Sequence, residues 1–596
     1  IKTTDPSTGE VSFGTRTYIY MAIADTANAR FNFDASGNKN NWLPNNINSN
    51  GESETTYDLM KDTPSLVDEN AGNFATLNPV DSYASGLSNG NLTFTNGSGA
   101  AYKGISTFVI EDIADSQKYY VEYTSDAGYL SGIVTTANSG SASNASYSDI
   151  RGYYSNGNKY TGTSASSYGG AFTSSDKLAM LIGDGKLEFF KNNVSQGVAF
   201  TGLTGSWKVA TTAFGSAGVG VSYNFGQRPF AYTPPTGSKK LNTFNLPDST
   251  IEDGSDYFNT VLYTGNSSTQ SITGVGFQPD FVWAKDRGAT VHHTLNDVVR
   301  GVNLDLFTSS TSVESNDHAG LTAFTADGYN LSSSTNHNVS GHTYVGWNWK
   351  ANGSGVSNTD GSITSTVSAN TTAGFSIVGY TGTGSAATVG HGLGAAPEMI
   401  IIKNRSASWG WFVYNSYLSN PTTGRLQLNL TNVEIAGGSP GPWNSTAPTS
   451  SVFSIGNSSF PEVNGSGNNL IAYCFHSVEG YSSFGSYTGN GSTDGPFVYT
   501  GFRPAWILVK LSLNQINAAS WQIYDTTRNT FNVIPTYLFA DSAGAESDSA
   551  STYFSADILS NGMKVRGANT YGINQSGATY IYMAFAENPF KNALAR

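Results

Sequence analysis

Charged side chains are scarce in this sequence. Only 12% of the 596 residues are Asp, Glu, Lys or Arg, and 43 acidic residues outnumber 30 basic ones, which gives a formal net charge of −13. Such a sparse and acidic charge distribution excludes the broad basic surface that binds nucleic-acid phosphates. It also disfavours attraction to anionic membrane surfaces.

Cysteine and long hydrophobic runs are lacking as well. Cys474 is the single cysteine, so the chain can form neither an internal disulfide nor a multi-cysteine zinc site. No apolar stretch approaches the roughly 18 residues of a transmembrane helix, and we expect no membrane insertion. Cys474 stands in the apolar run 470–475, which predicts that it is buried in a strand.

Aromatic and turn-forming residues are abundant instead. The chain contains 33 Tyr, 32 Phe, 10 Trp and 67 Gly. So many aromatic residues do not fit a disordered chain, and Gly among Ser, Thr and Asn is typical of short strands joined by tight turns. Helical periodicity is nearly absent, apart from short candidates such as 295–300. We therefore predict an all-β protein, and the length predicts several domains.

Three segments in the second half of the chain share the same landmarks in the same order. Each begins with a Tyr-Thr-Gly motif, at Tyr263, Tyr380 and Tyr487. Each continues to an apolar run from Pro to Lys of constant length, at 279–285, 397–403 and 504–510. Each ends in an aromatic run with a Gly two residues before its start, at 343–349, 469–475 and 579–585. This order indicates three duplicated units.

The duplication predicts three repeated β-sandwich domains, arranged as a string of stacked units. We assign repeat 1 to 255–352, repeat 2 to 371–481 and repeat 3 to 482–590, with a polar linker at 351–370 and a tail at 591–596. The dense Pro-to-Lys runs favour strands covered on both faces. The lysines that end them are expected to reach water: Lys285, Lys403 and Lys510.

The N-terminus repeats the closing run once more. Residues 17–23 read almost the same as 579–585, and no opening half precedes them. We interpret 1–27 as the closing strand of a truncated preceding repeat. An aromatic strand without partners would favour aggregation, so we expect another domain or chain to complete its sheet.

A different unit occupies residues 28–237. It contains strand-like runs at 118–123 and 186–190, an Asp184-Gly hairpin turn and an Asn-Phe-Gly-x-x-Pro-Phe ending at 224–230. These features resemble a SPRY domain, which implies a concanavalin-like jelly-roll sandwich. The run 179–183 departs from that family, where an Asp-bearing strand is usual.

The whole arrangement is similar to tail-fibre proteins of marine tailed phages, especially those that infect cyanobacteria. The similarity lies in segment 57–65, in the Pro-Pro ending followed by 241–247, and in the closing run 580–590. It implies a protein of the virion surface that is extracellular, forms a homotrimer and contacts other virion proteins. It supplies no catalytic residues.

Motifs for catalysis or metal binding are not found in the sequence. None of the seven histidines forms a short metal-ligand spacing, and the adjacent His292 and His293 predict one buried and one solvent-facing ring. Asp253 and Asp256 could form a glycosidase pair or bind Ca²⁺, but they stand in a turn-like polar stretch. We predict no enzyme activity, no cofactor and no metal.

Aromatic residues in polar loops are the candidate ligand contacts. They combine flat apolar area with adaptable hydrogen bonding, as antibody paratopes do. The candidates are Tyr147, Tyr153, Tyr154, Tyr168, Trp409 and Trp443. We interpret the protein as a non-covalent host-attachment protein that recognises a surface glycan or protein receptor. Two alternatives stay open: a structural virion spike or decoration protein with an assembly role, and a polysaccharide-degrading tailspike.

Overall fold

The computed structural model describes residues 69, 72–79, 81–82, 86–95, 103–136, 149–213, 220–316, 320–514, 519–548, 555–567 and 572–589. In this part the regular secondary structure consists of strands, apart from one 3₁₀ turn (Gly254–Asp256) and one α-helical turn, α1 (Pro461–Asn464). The all-β prediction is confirmed. The helix candidate at 295–300 is wrong, because Thr294–Asp297 is a buried strand. The predicted closing strand 1–27 and the tail 591–596 lie outside the described residues.

The first unit is a sandwich of two sheets. Its strands are β1 (Gly86–Ser88), β2 (Thr93–Thr95), β3 (Lys103–Ile110), β4 (Lys118–Ser125), β5 (Tyr129–Thr135), β6 (Arg151–Tyr154), β7 (Asn158–Thr161), β8 (Ser164–Ser167), β9 (Leu178–Gly183), β10 (Lys186–Lys191), β11 (Val194–Thr201), β12 (Trp207–Ala213), β13 (Gly220–Asn224) and β14 (Ser238–Lys239). One sheet has the order β1-β2-β13-β4-β9-β10-β11, with β14 parallel to β4, and the other has the order β3-β12-β5-β6-β7-β8. A continuous apolar core fills the space between the sheets.

Each repeat contains one large and one small antiparallel sheet. Repeat 1 has β15 (Phe258–Thr264), β16 (Gln270–Ile272), β17 (Phe281–Asp286), β18 (Thr294–Asp297), β19 (Gly301–Phe307), β20 (Leu321–Thr325), β21 (Gly328–Leu331) and β22 (Thr343–Trp349). Repeat 2 has β23 (Val356–Asn358), β24 (Ser365–Asn370), β25 (Phe375–Thr381), β26 (Ala387–Gly390), β27 (Met399–Asn404), β28 (Phe412–Asn415), β29 (Leu426–Gln427), β30 (Val452–Ile455) and β31 (Asn469–Phe475). Repeat 3 has β32 (Ser482–Thr488), β33 (Phe497–Tyr499), β34 (Phe502–Leu513), β35 (Gln522–Asp525), β36 (Thr536–Phe539), β37 (Ser547–Asp548), β38 (Ala556–Leu559), β39 (Gly562–Val565) and β40 (Thr579–Pro589).

The sequence landmarks occupy the same places in all three large sheets. The closing strand lies between the opening strand and the Pro-to-Lys strand, in the orders β15-β22-β17-β18, β25-β31-β27-β28 and β32-β40-β34-β35. Strands β17 and β27 are buried along their whole length, so the prediction of strands covered on both faces is confirmed. The linker prediction for 351–370 is wrong, because β23 and β24 extend the sheet of repeat 2 with polar edge strands.

One hydrophobic core joins the three repeats. The Pro-to-Lys strands contribute Phe281, Trp283, Met399, Ile401, Trp506 and Leu508, and the closing strands contribute Trp347, Trp349, Tyr473, Phe475, Met583 and Phe585. Equivalent residues form layers: Trp283 pairs with Trp347, Ile401 with Tyr473, and Leu508 with Met583. The outer face of each large sheet is covered by other residues of its own repeat. The predicted repeated sandwich domains agree with this architecture. The repeats do not form a simple string, because they bury their inner faces against one another.

Backbone hydrogen bonds close the three repeats into a ring. The equivalent donor and acceptor pairs are Glu314 N to Arg405 O at 3.1 Å, Glu434 N to Ser512 O at 2.9 Å, and Glu546 N to Arg287 O at 2.8 Å. The first pair joins repeat 1 to repeat 2, the second joins repeat 2 to repeat 3, and the third joins repeat 3 back to repeat 1. Each repeat is thereby fixed on both sides.

The first unit packs against repeat 3, although repeat 1 follows it in the sequence. The hydroxyl of Tyr499 donates to Oε1 of Glu111 at 3.3 Å, and the side-chain amide of Asn561 donates to the carbonyl of Thr107 at 3.4 Å. The Lys208 ammonium lies 5.1 Å from the centre of the Tyr499 ring. No helix of the described chain is long and apolar enough to span a bilayer.

Candidate functional site

The candidate aromatic residues differ in exposure. Tyr147 lies outside the described residues. Tyr153 and Trp443 are only 0% and 1% exposed, so the expectation of solvent-facing rings is wrong for both. The Tyr153 hydroxyl donates to the carbonyl of Gly170, and the Trp443 indole donates to the carbonyl of Gly424 at 2.7 Å. Both side chains satisfy the carbonyls of the loops that cover them.

Tyr154 and Tyr168 remain partly exposed on the first unit. The Tyr168 ring packs edge-on against Tyr153 with 5.3 Å between ring centres, and its hydroxyl accepts a 3.3 Å hydrogen bond from the Phe189 amide. The Tyr154 ring lies 5.7 Å from the Tyr160 ring. A ligand-binding role stays a prediction for these residues.

Lys285, Lys403 and Lys510 are buried, so the expectation that they reach water is wrong. Each lies at the end of its apolar run, on the same strand face as two residues of the shared core, and loops cover it. Burial lowers the pKa of Lys285 and Lys403 to about 8 and that of Lys510 to about 7. A buried amine needs acceptors, and carbonyl groups supply them in all three repeats.

The lysines brace loops at the junctions between repeats. The first acceptors are carbonyl groups in the loop after each strand: Ala289 at 3.1 Å from Lys285, Trp409 at 2.7 Å from Lys403, and Ala519 at 2.6 Å from Lys510. Lys403 also donates to the carbonyl of Thr311 in repeat 1 at 3.0 Å, and Lys510 donates to that of Thr431 in repeat 2 at 2.8 Å. One side chain thus ties together loops of two repeats.

The loop 404–411, here called the Trp409 loop, is held by several hydrogen bonds. Oδ1 of Asn404 accepts from the amides of Ser406 at 3.0 Å and Ala407 at 3.1 Å. The side-chain amide of Asn404 donates to the carbonyl of Pro461 at 2.7 Å. Trp409 is 40% exposed on this loop. The bonds fix the backbone that presents its indole.

The Trp409 loop packs against a loop of repeat 1. The Ser408 hydroxyl donates to the carbonyl of Thr311 at 3.3 Å. Arg405 forms a bidentate ion pair with Glu314, with N–O distances of 2.8 and 2.7 Å. We call the exposed residues of the two loops the junction surface: Thr311, Ser312, Val313, Ser408 and Trp409. This surface combines an indole and an isopropyl group with three hydroxyl groups, beside an ion pair without net charge.

Three buried asparagines hold the loops that follow the Tyr-Thr-Gly motifs. The sequence analysis does not identify them as functional residues. Their side-chain oxygens accept from backbone amides: Asn338 from Asn266 at 2.7 Å, Asn464 from Thr383 at 2.8 Å, and Asn574 from Asn490 at 2.8 Å. The signal that identifies them is an Asn-x-Ser-Gly motif at 338–341, 464–467 and 574–577. Its Gly lies two residues before the start of each closing run.

Repeat 1 contains a Thr-His-Asp arrangement that resembles a catalytic triad. Nε2 of His337 lies 3.0 Å from Oδ1 of Asp305, and Nδ1 lies 3.4 Å from the Thr294 hydroxyl. All three side chains are buried, and Thr294 lies within strand β18, so a substrate has no access to the hydroxyl in this conformation. We interpret the group as a hydrogen-bonded polar network of the core.

The other titratable groups are dispersed. Within the described ranges, no group of three or more His, Cys, Asp or Glu side chains could hold a metal ion. His293 is buried and His292 is exposed, which confirms the prediction for this pair. Cys474 is buried as predicted, and burial raises the pKa of its thiol.

Comparisons with known proteins give a fold likeness for part of the chain. The SPRY domain of human HERC1 is 18% identical, with 25% of this chain and 96% of that chain covered at a TM-score of 0.20. Another human SPRY domain is 16% identical, with 22% and 91% covered at a TM-score of 0.19. The carbohydrate binding module CBM66 from Bacillus subtilis is 10% identical, with 25% and 91% covered at a TM-score of 0.18. At these identities and scores, no ligand carries over to this protein.

The ring of three repeats has a family match. No curated protein matches the sequence. Residues 253–589, which include more than half of the chain and all three repeats, match a family described as a domain of unknown function, DUF7483. The chain therefore belongs to the DUF7483 family.

Proposed function

We propose that this protein attaches a phage virion non-covalently to the host cell surface as a tail-fibre or receptor-binding protein, with a surface glycan as the receptor. The observation that carries this proposal is the bracing of solvent-facing loops by buried lysines and asparagines on a closed ring of sheets. Loops on a rigid scaffold are the usual place of recognition. Loops fixed before binding also lose less conformational entropy when a ligand binds.

Non-covalent adhesion fits the placement of the reactive groups. His337 and Asp305 hydrogen-bond to each other inside repeat 1, and Asp297 pairs with Arg300 in the core. These groups stabilise the fold and do not converge at a solvent-open cleft. We therefore propose that the protein is not an enzyme, in contrast to the alternative of a polysaccharide-degrading tailspike.

Attachment would be multivalent on a virion. The resemblance to tail fibres leads us to propose a homotrimer at the virion surface that contacts other virion proteins. Repetition of one weak site over several copies raises avidity by about 10²–10⁴ without any new contact. Size-exclusion chromatography with light scattering on the full chain tests this oligomeric state.

The attachment proposal is tested by cell binding. We would label the purified full chain and measure its retention on cyanobacterial cells by flow cytometry, before and after mild periodate oxidation of the surface glycans. We expect retention that periodate abolishes. Retention that resists periodate but is lost after protease treatment would contradict the glycan receptor. Release of oligosaccharides from the cell-surface polysaccharide would contradict the non-enzymatic proposal.

A structural spike or decoration protein is the second candidate. The observation that favours it is the closed ring, because three interlocked repeats give a stiff body that an assembly role also needs. Immunogold labelling of virions separates the two candidates. Label on the tail tip supports attachment, and label on the capsid together with no cell binding supports the structural role.

A further inference from the structure

We infer that Trp409 stacks on a neutral sugar ring, an assignment that rests on the proposed attachment function. The three repeats contain an internal comparison for this residue. The carbonyls of Ala289, Trp409 and Ala519 all accept a hydrogen bond from the buried lysine of their own repeat. Ala519 is the structural equivalent of Trp409, because each lies two residues before the tryptophan that precedes the next strand. In repeat 1 the equivalent residue is Val291, whose amide donates to the carbonyl of Ala289 at 3.0 Å as the amide of Trp409 donates to that of Ala407 at 2.9 Å.

The ring of three repeats does not need an indole at position 409. Because valine stands at the equivalent position of repeat 1 and alanine at that of repeat 3, a small side chain is sufficient for the fold at this position. Trp409 nevertheless exposes 40% of its surface, and none of the ring contacts among the described residues involves it. Complete burial of a large apolar side chain would stabilise the protein further, and the fold forgoes part of that gain here. A half-exposed indole on a loop that the fold fixes, at a position where the other repeats carry small side chains, points to a ligand.

The chemistry around the indole favours a sugar. A pyranose ring has a face of C–H groups and a rim of hydroxyl groups. The indole provides a flat, electron-rich surface for the C–H face. The hydroxyl groups of Ser408, Thr311 and Ser312 lie on the same junction surface and are suited to the rim.

The charges near the junction surface favour a neutral ligand. Arg405, the cation on the Trp409 loop, already makes two hydrogen bonds to Glu314. An anionic sugar would have to break this bidentate pair before the guanidinium could bind it. The formal net charge of −13 also disfavours anionic ligands in general. A neutral glycoside does not need to break the ion pair between Arg405 and Glu314, and the negative net charge does not repel it.

The fixed backbone makes stacking effective. Asn404 and Lys403 hold both the start of the Trp409 loop and the carbonyl of Trp409 itself. The indole therefore has only its two side-chain torsions to fix on binding, and the loop needs no ordering. A single ring stacked in this way binds weakly, with a Kd of about 1 mM, and repetition on the virion supplies the avidity.

The direct test is ¹⁹F NMR of the full chain labelled with 5-fluorotryptophan. The Trp409→Ala variant identifies the Trp409 resonance among the ten tryptophans. The probes are the methyl glycosides of glucose, galactose, mannose and N-acetylglucosamine, with glucuronate as the anionic comparison. We expect at least one neutral glycoside to shift the Trp409 resonance alone. No shift with any neutral glycoside, or a shift with glucuronate only, would overturn the assignment.

Cell retention separates this assignment from the attachment function. We expect Trp409→Ala to reduce retention about tenfold or more, as the loss of a central aromatic contact does. Its urea midpoint should change little, because the small side chains of Val291 and Ala519 stand at the equivalent positions. Val356→Ala, at an exposed site in the same repeat, is the matched control and should retain binding. Full retention by Trp409→Ala would refute the assignment and leave attachment intact, whereas no retention of the unmodified chain would refute attachment itself.

Discussion

The hydroxyl of Tyr473 in repeat 2 donates a 2.8 Å hydrogen bond to Oδ2 of Asp297 in repeat 1. The same carboxylate oxygen lies 2.5 Å from Nε of Arg300. The next junction of the ring has the same arrangement, where the indole of Trp347 donates to Oδ2 of Asp525 at 3.0 Å. A buried carboxylate with an arginine and a donor from the neighbouring repeat therefore joins two of the three junctions.

The third junction lacks the whole arrangement. Asn415 stands in the place of the two aspartates, Leu418 in that of the arginines, and Met583 in that of the aromatic donors. The side-chain nitrogen of Asn415 has no hydrogen-bond partner among the described residues. These three differences between the junctions belong together, because a buried carboxylate at position 415 without an arginine and a hydrogen-bond donor beside it would strongly destabilise the protein.

Tyr473→Phe is predicted to weaken the junction between repeats 1 and 2. Loss of the hydroxyl removes one donor from the buried Asp297 carboxylate, and we expect the free energy of unfolding to fall by about 1–3 kcal/mol. Urea unfolding followed by near-UV circular dichroism measures the change. Tyr417→Phe is the control, because that hydroxyl bonds to Glu398 at an exposed site and its loss should cost about 0.5 kcal/mol or less. Equal midpoints for the two variants would contradict this role.

Asn415→Asp is predicted to destabilise the third junction. The new carboxylate would be buried beside Leu418 and Met583, without a cation, at a cost of about 3–5 kcal/mol. Addition of Leu418→Arg should recover part of the loss, because it restores the pairing seen between Asp297 and Arg300. Urea midpoints of the single and double variants measure the effect. A single variant as stable as the unmodified chain would show that this junction admits water.

The sequence predicts the order of strands well because the landmarks are local. Pro-to-Lys runs and closing runs are dense apolar segments, and each forms a buried strand at the same place in its sheet. The buried Cys474 follows from the same pattern. Repetition identifies equivalent residues without knowledge of what they contact.

Contacts between repeats are not predictable from the local pattern. A lysine at the end of an apolar run predicts that the strand ends at the protein surface and that its ammonium group is exposed. The loop of repeat 1 that contains Thr311 nevertheless covers Lys403. Likewise, Trp443 stands among Gly, Ser and Asn, but its indole fills the outer core of repeat 2. Trp409 also stands among small polar residues, and its indole is exposed as those neighbours predict.

The ring is predicted to gain stability as pH rises above neutrality, in part through Lys510. Burial lowers the folded-state pKa of Lys510 to about 7, against a value of about 10.4 in the unfolded chain. Between these values the unfolded state binds the proton and the folded state does not, so stability rises with pH. Below about pH 7 both states are protonated, and the contribution of this lysine no longer changes.

Lys510→Met isolates this contribution. The slope of unfolding free energy against pH should fall by about 1.4 kcal/mol per pH unit between about pH 8 and pH 10. Buried tyrosines with raised pKa values, such as Tyr487, act in the opposite direction but are present in both proteins. Lys186→Met, which removes an exposed lysine, is the control and should leave the slope unchanged. An unchanged slope in Lys510→Met would show that the Lys510 amine stays charged in the folded protein.

Asn464→Ala is predicted to release the opening loop of repeat 2. The Asn464 side chain accepts from the amides of Thr383 at 2.8 Å and Gly384 at 3.2 Å, and it donates to the carbonyl of Ser385 at 2.7 Å. Alanine would leave these groups unpaired, so we expect the two amides to exchange hydrogen about ten- to a hundred-fold faster. Hydrogen exchange measured by mass spectrometry tests this. Asn457→Ala, which removes a bond on an exposed turn, is the matched control and should leave both amides protected. Faster exchange across the whole of repeat 2 would instead indicate that Asn464 stabilises the repeat as a unit, because local bracing predicts a change confined to the loop.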